Sequence, residues 1–353
     1  MAVMTVLGKT DKDRLGKVAP HEHLFNDITW AFRHPSDPIG EKIAYGPVTM
    51  ESLGLLRRNI SALRDNLLLD DYDTACHELK EFRYAGGGTL VDLTVNGLSR
   101  SPKLLRRAAL DTGVTIVMGC GYYVADAHPA DMDDKSVDEI AQELLGDLCN
   151  GVGDSGVRAG VIGEIGVSGD AIHPNEAKVL AASAIAQKAT GVGVQVHTSD
   201  RPVGKNRFPF GLDILDIFEK HGADLSKISI NHLGVKVGTD LDYCVEIMKR
   251  GAYVEFDTFG HEFYADPSMG GPLEFDVNRV AAVKALCDKG FEKQIMLSCD
   301  ICHKSLLHTY GGWGYDHIIT NIVPVMKDQG FDDATIDVLT VQNPAAFLDS
   351  GLE

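Results

Sequence analysis

The chain has 353 residues, 44% hydrophobic and 24% charged, long enough for a large core or for one α/β barrel with insertions. Its 33 basic and 51 acidic residues give a formal net charge of −18, which argues against the basic surface that nucleic acid or an anionic membrane requires. No apolar run approaches the ~20 residues of a membrane span, the N-terminus carries no basic-then-apolar leader, and seven dispersed cysteines read as reduced thiols, so the expected location is cytoplasmic.

Residues 1–17 are expected to form an N-terminal extension, with a small hairpin that closes the bottom of the fold. Short β-rich apolar runs follow at 17–23, 89–94, 115–119, 160–165, 192–197, 228–232, 252–257 and 295–300. Helical patterns alternate with them. Ser101-Pro102 opens one that ends near Gly113, an N-cap with proline in the first turn and glycine at the far end. Ser136-Val137-Asp138-Glu139 is a capping box opening another. Segments 176–190, 212–221, 241–250 and 277–289 fill further slots. Eight β-then-α units without a low-complexity linker predict an α/β chain, one distorted (β/α)8 TIM barrel over residues 1–353 as a single domain. An open doubly wound sheet is the rival, but no strand runs into a G-x-G-x-x-G turn or a P-loop. The long connections, 26–48, 198–210, 258–275 and 301–316, all follow strand C-termini, the face on which barrel enzymes build their sites.

Polar residues gather at those same strand ends. The first strand ends in His21-Glu22-His23, and alternation puts both imidazoles on one side and Glu22 on the other. Alone, H-x-H is a weak signal, because thirteen histidines in a chain of this length produce it often by chance. The fourth strand carries Glu164 in an otherwise apolar run, where an ionised carboxylate needs a cation or a raised pKa. The fifth ends in His197, the sixth in His232 and the eighth in Asp300. Four imidazoles and two carboxylates at one mouth are the donor count for two divalent ions that share a carboxylate. A lone strand-end histidine is more often a hydrogen-bonded core residue; four on one rim are hard to obtain by accident.

These stretches carry a resemblance. Gly16 through His23, Ile162-Gly163-Glu164-Ile165-Gly166, Val196-His197-Thr198, Asn231-His232-Leu233, Leu297-Ser298-Cys299-Asp300, the run Tyr310 to His317 and Gln342-Asn343-Pro344-Ala345 together resemble the phosphotriesterase-like branch of the amidohydrolase superfamily, over nearly the whole length. The resemblance implies a distorted barrel with a binuclear metal centre, two divalent ions per chain, usually zinc. By position it implies that His21, His23 and Asp300 hold the more buried ion and His197 and His232 the more exposed one. One departure stands out: well-known members bridge the ions with a carbamylated lysine on the fourth strand, and this chain has Glu164, as some members do.

The resulting expectation is a metal-dependent hydrolase of a small-molecule ester, in which a metal-bridging hydroxide attacks and Asp300 accepts its proton. An anionic phosphate or phosphonate ester leads, because Arg201, Lys205 and Arg207 follow the fifth strand and Lys304 follows the eighth, in an otherwise acidic chain; solvated surface charge is the bland alternative. Tyr123, Asp257 and His261 are further candidates to line the substrate pocket, with core packing or solvated loop as the alternatives. A lactonase or carboxylester hydrolase would use the same centre, and a non-catalytic metal-stabilised binding barrel is the rival of another class. A Schiff-base aldolase lacks its mid-strand lysine. Cys299 and Cys302 form a C-x-x-C that reads as packing, and a homodimer is open to the chain.

Overall fold

The computed structural model describes residues 2–35, 38–169, 171–198, 210–234, 241–263 and 273–352. Its centre is an eight-stranded parallel sheet, curled into a nearly closed barrel: β1 (Lys17–Glu22), β2 (Gly87–Asp92), β3 (Thr115–Cys120), β4 (Val161–Val167), β5 (Val194–Thr198), β6 (Ile228–Ile230), β7 (Tyr253–Phe256) and β8 (Ile295–Leu297). Each strand pairs with the next in sequence, with registers such as Val18 opposite Thr89 and Val254 opposite Ile295. The strands are rich in valine and isoleucine and buried on both sides, as parallel strands covered by helices must be. The seam between β1 and β8 closes through a hydroxyl: Ser298 Oγ accepts the His21 N–H at 3.0 Å, and the Asp300 N–H donates to the His21 carbonyl at 3.1 Å.

Helices α1 (Tyr72–Tyr84), α2 (Pro102–Thr112), α3 (Val137–Cys149), α4 (Pro174–Thr190), α5 (Gly211–Lys220), α6 (Leu241–Lys249) and α7 (Asp276–Asp288) form the crossovers, and short helical turns between 318 and 348 complete the circuit. The expected signals operate at two of them. Pro102 starts α2 and Gly113 ends it at φ +71°, although the Ser101 side chain makes no capping bond, while Ser136 and Glu139 form the capping box of α3. α4 begins two residues before its expected start, because His173 Nδ1 accepts the Asn175 N–H and Glu176 accepts the His173 N–H, an unusual imidazole capping box. α1 falls in none of the expected helical slots. Its start is an Asp71 cap on Thr74, and its buried face is Ala75, Cys76, Leu79 and Phe82 at helical spacing.

Residues 2–11 form an antiparallel hairpin, Ala2–Thr5 with Gly8–Asp11, whose Val6 N–H bonds the Ile116 carbonyl at the N-terminal end of β3. The insertion after β1 is largely irregular, with short helices at Pro38–Ile43 and Leu53–Leu56. β6 and β8 stop earlier than their apolar runs suggest. The chain leaves the extended region at His232 (φ +65°) and Asp300 (φ +45°), both left-handed conformations that are uncommon outside glycine. Both residues carry side chains that converge with the other polar strand-end residues.

Candidate metal centre

His21 and His23 project from the end of β1 with ring centroids 5.8 Å apart, and both are buried. Glu164 sits on β4 just past Gly163, where an added Cβ would come within 2.5 Å of the Gln195 carbonyl; only glycine lets β4 and β5 approach so closely. Glu164 Oε1 lies 2.8 Å from His232 Nε2, 3.0 Å from His197 Nδ1 and 3.4 Å from His21 Nε2. Asp300 Oδ1 stands 3.2 Å from His23 Nε2 and 3.6 Å from His21 Nε2. His197 Nδ1 and His232 Nε2 are 2.7 Å apart. All six residues expected at the rim are therefore brought together.

This is a donor set built for cations. Ring nitrogens and carboxylate oxygens of His21, His23 and Asp300 fall within 4.8 Å of one another, and so do those of His21, Glu164 and His232. His21 Nε2 is buried without a hydrogen-bond partner among the described residues, an atom that a metal would satisfy. Burial alone would depress the His21 and His232 imidazoliums, but Glu164 and Asp257 outweigh it and hold both well above the ordinary histidine range. Burial alone would raise Glu164, yet His197 and His21 hold it well below the carboxylate range. Positive charge at this spot is strongly favoured.

A second layer holds the rings. Asp257 accepts the His232 backbone N–H, lies 3.0 Å from His232 Nδ1, and sits 3.2 Å from His21 Nδ1 through its other oxygen. Thr94 Oγ1 is 3.0 Å from His23 Nδ1. Beneath His21, Asn231 Nδ2 donates to Gln195 Oε1, and Gln195 Nε2 donates to the Pro20 carbonyl. Glu255 lies deeper still, fully buried, its carboxyl pushed up by burial to about 7. Thr94, Asn231, Gln195 and Glu255 are not among the site residues assigned from the sequence, although Asn231 lies in one of the stretches that carry the resemblance. The available signal was polarity at inward positions of strands that are otherwise apolar.

The candidate substrate contacts are placed less uniformly. Tyr123 OH lies 3.1 Å from His197 Nδ1 and its ring meets the edge of Trp30, so it stands beside the centre at the mouth. Asp257 is fully buried behind the rings. His261 approaches the Asp300 carbonyl at 3.2 Å. Lys304 is mostly buried and ion-paired, with Nζ 2.6 Å from Asp65 and 3.8 Å from Asp70. Arg201, Lys205 and Arg207 lie outside the described residues. Cys302 Sγ is 3.0 Å from His303 Nδ1, and neither Cys299 nor Cys302 forms a disulfide.

The phosphotriesterase family model matches residues 1–348, essentially the full chain. The chain belongs to the phosphotriesterase family. Within that family setting it is 35% identical over 350 residues to the N-acetyltaurine hydrolase of Homo sapiens, a match covering 98% of this chain and 97% of that protein. Among solved structures it is similar to a resiniferatoxin-binding protein from Rhodobacter sphaeroides, with a TM-score of 0.93, 35% identity, and 99% and 95% of the two chains covered. It is also similar to a phosphotriesterase homology protein from Escherichia coli complexed with phosphate in the active site, with a TM-score of 0.78, 30% identity, and 96% and 100% covered. Membership of the phosphotriesterase family and the N-acetyltaurine hydrolase relative make the chain a hydrolase, and its clustered histidines and carboxylates could hold a metal ion.

Proposed function

We propose that this chain hydrolyses the carboxamide or ester bond of a small, negatively charged molecule, with N-acylated aminosulfonates as the first substrates to try. The observation that carries this reading is the 35% identity to N-acetyltaurine hydrolase over almost the whole of both chains. Relative to the expectation from sequence, the scissile centre moves from phosphorus to a carbonyl carbon. The centre itself is the same.

The donor set suits two divalent ions, with zinc the expected metal: His21, His23 and Asp300 would hold one and His197 and His232 the other, with Glu164 within reach of both sets. When bound, the ions supply Lewis acidity to the scissile carbonyl and to water. The chain's own residues do the rest. Asp300 is the more accessible carboxylate, its side chain 15% exposed against 2% for Glu164, so it is the one that reaches water and substrate. Asp300 takes the proton of the attacking water and returns it to the leaving nitrogen, which cannot depart as an amide anion. Asp257 holds the His21 and His232 rings in orientation, and Tyr123 OH, beside His197, orients the acyl oxygen.

A phosphorus ester is the second reading, supported by the phosphate in the active site of the Escherichia coli relative. The test is a kcat/KM panel on zinc-loaded protein: N-acetyltaurine and homologous N-acyl aminosulfonates, N-acyl amino acids, lactones, an anionic phosphonate ester and its neutral triester. The expected result is preferential release of carboxylate and amine from the N-acyl anions. Preference for the anionic phosphonate would promote the second reading, and no turnover of the N-acyl anions beside turnover of another compound would refute the first.

A further inference from the structure

Glu22 lies between His21 and His23 on β1, and strand alternation turns its side chain away from both rings. It is fully buried there, and its partners lie across the barrel seam. Oε1 is 2.8 Å from Ser298 Oγ and accepts the Cys299 N–H at 2.9 Å; Oε2 accepts the Ile301 N–H at 2.8 Å. Those two amides flank Asp300, whose own N–H donates to the His21 carbonyl. Three successive amides, 299 to 301, are thus held by residues 21 and 22. Between them Asp300 adopts φ +45°, a left-handed conformation uncommon outside glycine, with its carboxylate at His23 and His21.

We infer that Glu22 is the positioning residue for Asp300. Its carboxylate mounts the 299–301 backbone on β1 and so sets where Asp300 stands relative to the two histidines on either side of Glu22 itself. The histidines ride on the same strand as the clasp, so the two halves of the buried site are registered by one side chain. A neutral amide cannot replace it. Glutamine would keep one accepting oxygen and turn an NH2 against a backbone N–H, a donor facing a donor. The inference rests on the reading of Asp300 as ligand and proton carrier.

The test uses the full-length protein in Glu22→Gln, Ser298→Ala, Asp300→Asn and the Glu22→Gln/Asp300→Asn pair. Four quantities are read: kcat and KM separately on the best substrate of the panel, zinc affinity by competition with a chelator, and the melting temperature of the metal-free protein. Glu22→Gln is expected to lower kcat by about tenfold or more with KM within about twofold. It should weaken one of the two zinc ions by about tenfold or more and leave the other unchanged. In the Asp300→Asn background the same change should cost less than about threefold further, because the two residues act as a unit. Ser298→Ala removes one of the three contacts of Glu22 together with the hydroxyl that accepts the His21 N–H, keeps the two amide bonds, and should lower kcat by about two- to fivefold. A lower melting temperature with kcat, KM and both zinc affinities unchanged would overturn the inference, as would fully independent losses in the double variant. If Glu22→Gln does not fold, an unchanged kcat and zinc affinity in Ser298→Ala overturns it equally. Were Asp300→Asn to keep full kcat, the proton-carrier reading would fall instead, and zinc competition alone would decide the role of Glu22.

Discussion

Asp257 and His232 are joined twice. The carboxylate accepts the His232 backbone N–H at 3.0 Å and faces its Nδ1 at 3.0 Å, while the opposite ring nitrogen points at Glu164. A carboxylate behind an imidazole favours the proton on Nδ1, which would leave the lone pair on Nε2 to a bound ion. The same carboxylate also serves His21, so one side chain orients a ring from each proposed ion's set.

Asp257→Asn should therefore weaken zinc binding by the ~10–100-fold typical of losing an outer partner of a metal ligand. Competition with a chelator measures it, and both ions should be affected because both rings are touched. An effect on KM alone would instead return Asp257 to the substrate pocket.

Asp300→Asn should keep the fold and lower kcat by ~10²–10⁴, the usual cost of losing a general acid–base group. Glu164→Gln should lose metal before it loses chemistry, since the removed charge lies within 3.4 Å of three rings. Elemental analysis alongside turnover separates the two. Wild-type kcat in Asp300→Asn would end its assignment as proton carrier.

Zinc-saturated protein should hold close to two ions per chain, and dialysis against a chelator should remove activity that zinc restores. His21→Asn and His197→Asn should each lose metal and turnover together. A plateau at one ion per chain with full activity would contradict the shared role of Glu164.

Lys304→Ala should leave KM for anionic substrates within about twofold, because its ammonium is already paired with Asp65 and Asp70. The change should appear as lost stability, read from the denaturant midpoint. A KM rise confined to anionic substrates would show that Lys304 reaches the mouth.

Asp276 accepts the Gly260 N–H, Arg279 Nη1 at 2.6 Å and His317 Nε2 at 2.8 Å, anchoring the chain just before His261. Burial would raise its carboxyl, but His317 and Arg279 outweigh that and hold it below the ordinary value. Its contribution is therefore complete above the unfolded pKa and fades as pH falls through the lower folded one, below about pH 4. Asp276→Ala takes the carboxylate partner from the fully buried Arg279, which keeps its bonds to the Gly234 and His261 carbonyls, at a cost of about 3–5 kcal/mol, measurable by denaturant unfolding at neutral pH. Equal stability of variant and wild type at pH 7 would refute this account.

The eight apolar runs, their helical alternation and the polar residue at each critical strand end are local properties of the chain. Alternation pairs His21 with His23 on one side of the first strand, and polarity within or at the end of an apolar run marks Glu164, His197, His232 and Asp300. The partners of those residues could not. Asp257 is two residues past Glu255 on β7, and nothing in that stretch says that it backs a histidine of β6 and another of β1. Lys304 looked free in the sequence and is held by Asp65, some 240 positions earlier. Glu22 sits inside the most legible motif of the chain, yet its work lies on the other side of the strand, across a seam that exists only once β8 has come round to β1. Which atoms the barrel closes around depends on how far strands travel in space, and hydrogen bonds between residues nearly three hundred positions apart leave no periodicity in the sequence to read.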